Sequence, residues 1–88
     1  MSVTSENINI ALEIDKKFTE LEQRGCDNAI IFVEMSDLMP KFKNLMDELT
    51  ENDFAQLTLQ FGGFYRFGIF LEWVASKLES GVIIVPPC

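Results

Sequence analysis

Ala29-Ile30-Ile31-Phe32-Val33 can be a buried strand or a turn of buried helix, and the choice separates an α+β chain from a helical one. A short continuous apolar run fits either. Its β-branched content leans to strand. The spacing leans to helix, because Ile31, Met35, Leu38, Phe42, Leu45 and Leu49 recur at alternating steps of four and three, as one helical face does. A strand also needs a partner. The candidate is Val82-Ile83-Ile84-Val85, so the alternative fold class is α+β with a two-stranded sheet from 29–34 and 82–85. The helical reading is the one adopted here: a mainly α chain, a small bundle or hairpin of three to four helices with one long C-terminal helix. Pro40 marks a kink, or the first turn of a new helix capped by Ser36 or Asp37.

Upstream, a first helix is predicted from Glu6 to Arg24. Ile10, Ala11, Ile14, Phe18 and Leu21 project in one stripe at 3.6 residues per turn, with Glu13, Lys16 and Glu20 elsewhere. Gly25 after Arg24 pairs a cation in the last turn with a glycine able to adopt positive φ. Ile8 and Leu12 lie off the stripe, as a broadened core face or a partner surface. Residues 1–5 are small and polar and are expected to fray, as are residues 86–88, where Pro86-Pro87 can neither continue a helix nor donate ladder hydrogen bonds.

Downstream, Thr50-Glu51-Asn52-Asp53 resembles a capping box with aspartate in the glutamate position, so a helix should start at Thr50 and run to Gly81. Phe54, Leu57, Phe61, Phe64, Gly68, Leu71, Ala75 and Leu78 form an unbroken apolar seam along it. Gly62, Gly63 and Gly68 each cost about 1 kcal/mol relative to alanine inside a helix. Either the chain breaks at Gly62-Gly63 or the glycines let another helix approach closely; the continuity of the seam favours one helix.

The chain has 88 residues, room for one domain (1–88), and such a chain buries only about 60 to 65% of the surface its unfolded form exposes. Fourteen acidic against seven basic residues give a net charge of −7, which repels nucleic-acid phosphates and anionic headgroups. No direct nucleic-acid or membrane contact is expected. Cys26 and Cys88 can make at most one disulfide and no signal segment opens the chain, so a cytoplasmic protein with reduced thiols is expected.

Absences weigh against catalysis. The chain has no histidine, which removes the commonest general base and the Ser-His and Cys-His pairs. Two cysteines cannot build a structural zinc site, and neither an EF-hand order nor a phosphate-loop spacing is present. The acidic cluster Asp47, Glu48, Glu51 and Asp53 reads as helix-end carboxylates serving the next N-terminus. No enzyme activity, cofactor or metal is expected.

The strongest functional signal is an excess of apolar surface. Phe67, Phe70, Trp73 and Val74 lie off the seam and, with Tyr65, make the last helix apolar on nearly every side, more than a small monomer can cover. Phe67, Phe70, Trp73, Val74 and Tyr65 are therefore the candidate protein interface of a regulatory or interaction module, expected to be a homodimer that also engages a protein partner. The second reading is an acidic antagonist of a nucleic-acid-binding protein, in the manner of an anti-sigma factor or DNA mimic. Glu48-Leu49-Thr50 with Asp53, Leu57 and Phe61, then aromatics and Leu71-Glu72, faintly resembles the C-terminal helices of a small phage anti-sigma protein family, acidic helical chains that bind RNA polymerase sigma factors. That resemblance covers about a third of the chain, needs a one-residue shift after Phe61, has no counterpart in the first helix, and does not assign the chain to the family.

Overall fold

Residues 28–34 are helical. The structure is a computed structural model that describes residues 3–80, with side chains through Lys77. Among these residues the elements are α1 (Ser5–Gln23), α2 (Asn28–Glu34), α3 (Met39–Glu48), α4 (Glu51–Gln60) and α5 (Gly62–Ser80). The mainly helical reading holds, with five helices among the described residues where three to four were expected. The paired-strand alternative fails at 29–34, and 82–85 lies outside the described residues.

A seven-residue helix is too short to stand alone in water, so α2 needs tertiary support. Asp27 caps it, its carboxylate accepting from the Ala29 N–H at 3.1 Å. Burial does the rest: Ile31, Met35, Leu38, Phe42, Leu45 and Leu49 are all buried, so the periodicity read from sequence is one continuous core face. It passes through a turn, in which Leu38 N–H donates to Met35 O at 3.0 Å and the Ser36 hydroxyl donates to Val33 O at 2.8 Å. Pro40 then sits in the first turn of α3, where its missing N–H costs nothing. The expected cap at Ser36 or Asp37 is not what forms. The N-cap is Leu38, with no side-chain bond, and the Asp37 carboxylate instead accepts from Lys17 of α1 at 3.1 Å.

Helix α1 starts one residue earlier than expected. Thr4 and Asn7 satisfy each other's backbone N–H groups in a capping box, so Thr4 and Ser5 are ordered rather than frayed. Gly25 has φ 72°, as its C-terminal role requires. Ala11, Ile14, Phe18 and Leu21 are buried and Ile8 packs against the core, a broadened core face. Cys26 is buried and disulfide-bonded rather than a free thiol, which corrects the expectation of reduced thiols at this position; Cys88 lies outside the described residues.

Helices α1, α3 and α5 carry most of the core, and α2 and α4 link them. Lys17 meets Asp37 and Glu13 meets Lys41, so α3 runs antiparallel to α1. Asp15 meets Gly63, Thr19 and Glu22 meet Arg66, and Phe18 meets Phe67 and Phe70, so α5 runs parallel to α1.

The expectation of one unbroken helix from Thr50 is corrected at Phe61, whose φ −123° and ψ 99° are extended. The cause lies on α1. The Asp15 carboxylate accepts from the Gly63 N–H at 2.6 Å, supplying the cap that Phe61, with no side-chain acceptor, cannot. A Cβ on Gly63 would lie 2.6 Å from both Asp15 O and Thr19 Oγ1, so glycine is what lets the two helices meet. Once the chain breaks there, α5 takes its own rotational phase. Its deeply buried residues are Phe64, Phe67, Phe70 and Val74, whereas Gly68 and Leu71 are half-buried and Ala75 is exposed. The Leu78 side chain lies outside the described set.

Candidate functional site

Three of the five residues expected to form an interface are core. Phe67 is fully buried, with its ring centroid 5.5 Å from Phe18 and 5.3 Å from Phe42. Phe70 lies 5.4 Å from Phe18, and Val74 is buried beyond it. The aromatic excess is therefore spent inside the single chain, on α1 and α3, and the premise for self-association through this face falls away. Tyr65 and Trp73 are exposed, at 53% and 43%. They do not form one patch. Trp73 stacks on Phe70 at 6.1 Å and carries the Lys77 ammonium 5.7 Å above its ring, while Tyr65 faces a different feature, a groove.

That groove has a volume of about 700 Å³ and runs between α4 and α5, with the end of α3 closing one side. Its floor comes from the aromatic cluster. Phe42 reaches from α3 to rings at 5.6 Å (Phe54), 5.2 Å (Phe64) and 5.3 Å (Phe67), and Phe54 and Phe64 are themselves 5.3 Å apart. Such tilted and edge-on pairs hold the rings in fixed orientations, so the floor is preformed. Gly68 contributes the low point: a Cβ there would sit 3.3 Å from the Phe42 ring. The walls are Met46, Ala55, Tyr65 and Ile69, of which Met46 and Ile69 are 55% and 50% exposed. The charged side chains lining the groove are both carboxylates, Glu51 on α4 and Glu72 on α5.

Met46, Ala55 and Ile69 were not singled out by sequence. A usable signal existed for two of them, since Met46 and Ile69 are large apolar residues standing one position off the buried faces of their helices. The acidic cluster lies at the helix ends of the α3–α4 junction: Asp47 pairs with Lys43 at 3.8 Å, and Glu51 and Asp53 stand in the first turn of α4, whose cap is the Thr50 hydroxyl accepting from the Asp53 N–H at 3.1 Å. Among the described residues no three acidic or thiol groups converge as metal ligands would, and no helix is long and apolar enough to cross a membrane. Asp37, remote from the groove, has a carboxyl displaced from its ordinary range. The hydrogen bond from Lys17 holds Asp37 low, with the charge of the same ammonium adding to it.

Among the described residues the groove offers apolar rings, a thioether, the hydroxyls of Thr58 and Tyr65 and two carboxylates. Compared with protein-family models, with curated proteins and with solved structures, the chain matches none.

Proposed function

We propose that this chain is a non-enzymatic interaction module that holds an apolar segment of a partner protein in the groove between α4 and α5. The observation that carries the reading is the preformed aromatic floor under half-exposed Met46, Tyr65 and Ile69, a concave apolar surface that a chain this small leaves open to solvent. The acidic-antagonist alternative calls for carboxylates along one uninterrupted face. On α1, Glu6, Glu13 and Glu20 are interleaved with Lys16 and Lys17, and Glu13 is paired with Lys41 at 3.3 Å, so the groove is the better supported surface.

A photo-crosslinking residue placed at position 69 in living cells tests this, with position 20 on the outer face of α1 as control. Capture of one protein from 69 and not from 20 is the expected result. Equal labelling from both positions, or none from 69, refutes it.

A further inference from the structure

The charges around the groove specify its occupant further, on the reading that the groove is a docking site. We infer that it takes an amphipathic helix of a partner protein whose apolar stripe is flanked by lysine or arginine. The lining on α5 extends from Phe64 to Glu72, about two helical turns or ~12 Å at 1.5 Å per residue. That length accepts apolar anchors at i, i+3 or i+4, and i+7 of a docked helix, the spacing that grooves between helices read. Beside this strip stand Glu51 and Glu72, exposed, and among the described residues no cation lines the groove with them. The whole chain adds to their field with its net −7. A second copy is the poorer occupant. A two-fold contact through this face would set Glu51 and Glu72 against their own copies, in a pair of chains that already repel. A cationic helix instead places its flanking charges over both carboxylates while its stripe covers Ile69, Met46 and the rings beneath.

The test measures binding of four labelled peptides to the full chain by fluorescence anisotropy. Each is about 18 residues, five turns of helix. Three share leucine positions on one face and carry lysine, glutamine or glutamate elsewhere; the fourth has the leucine–lysine composition in scrambled order. The leucine–lysine peptide should bind one to one and at least about tenfold more tightly than the leucine–glutamine peptide, with the glutamate and scrambled peptides weaker still. Glu51→Gln with Glu72→Gln should weaken the leucine–lysine peptide about five- to tenfold and leave the leucine–glutamine peptide unchanged. Ile69→Gln, at a half-exposed site that folding does not need, should weaken both.

Equal affinity for the lysine and glutamine peptides would overturn the inference while leaving the docking reading intact. So would scrambled peptide binding as well as the ordered one, or indifference to the two glutamate replacements, since either means unspecific attraction to an acidic chain. Concentration-dependent dimerisation of the free protein, abolished by Ile69→Gln, would make a second copy the occupant and overturn it too. Failure of every peptide together with no crosslink from position 69 would sink the docking reading itself.

Discussion

Gly63→Ala is the smallest change that should disrupt this fold. The added Cβ would meet the Asp15 carboxylate and lie 2.6 Å from the Asp15 carbonyl oxygen and from Thr19 Oγ1. A side chain can swing away, but the carbonyl belongs to the backbone of α1 and moves only with the helix. Overpacking of this kind costs about 1–3 kcal/mol. Shifting α1 away also stretches the 2.6 Å bond from the Gly63 N–H to Asp15, a cap worth about 1 kcal/mol. Against these stands the helix propensity of alanine over glycine, about 1 kcal/mol at most so near a helix end. The balance is a loss of about 1–3 kcal/mol, or roughly 5–20 °C in Tm for a domain of this size. Thermal and urea unfolding followed by circular dichroism measure it. Gly62→Ala is the control, because its Cβ would meet only the guanidinium end of Arg66 at 3.1 Å, which can yield, and it should be neutral or stabilising. A Gly63→Ala protein as stable as the parent would mean that α1 and α5 do not cross there, and the account of the Phe61 break would fail with it.

Asp15→Ala should cost about 1–2 kcal/mol by uncapping α5, whereas Asp15→Asn, which keeps an acceptor oxygen, should recover part of that in the same unfolding assay. Phe42→Ala, which empties the centre of the ring cluster, should cost about 3–5 kcal/mol, enough to leave a domain of this size largely unfolded by circular dichroism. Phe70→Glu should unfold the single chain rather than split a dimer, because the ring packs on Phe18; a folded, soluble Phe70→Glu monomer would restore the reading of this face as a surface. The Asp37 carboxyl, held below its ordinary 3.8, should titrate by NMR at a lower pH than in the unfolded chain and return upward in Lys17→Met. Because the folded value is the depressed one, whatever stability this pair contributes is present above pH 3.8 and is lost as the pH falls through the folded value.

Much of the helical core was legible because it is periodic within single elements. The faces of Ala11 to Leu21 and of Ile31 to Leu49 are buried as their spacing predicts, even across the turn at Met35–Leu38, where four-and-three steps persist without continuous helix. The second half misled for a physical reason. Its seam from Phe54 to Leu78 is real as a pattern, yet whether it belongs to one helix depends on Asp15, which lies 48 positions before the glycine it caps. No local rule weighs that bond. The same error moved the candidate surface: a break at Phe61 turns α5 by about one residue, some 100° of helix, which sends Phe67, Phe70 and Val74 inward and leaves Tyr65 and Ile69 outside. The groove itself joins side chains of three helices, so only their placement brings it into view.

The parallel pairing of α1 with α5 sets an order of events in folding. Helix α1 is synthesised before α5, its most extensive partner among the described elements, so Ile14, Phe18 and Leu21 complete their packing only after residues 62–74 have been made. Helices α2, α3 and α4 can form a local hairpin meanwhile, but nothing in them ends α4 at Gln60; that boundary is drawn only when α1 arrives and Asp15 reaches Gly63. Closing the bundle sets the break at Phe61, and the start of α5 is fixed by a residue of α1 that lies 48 positions upstream.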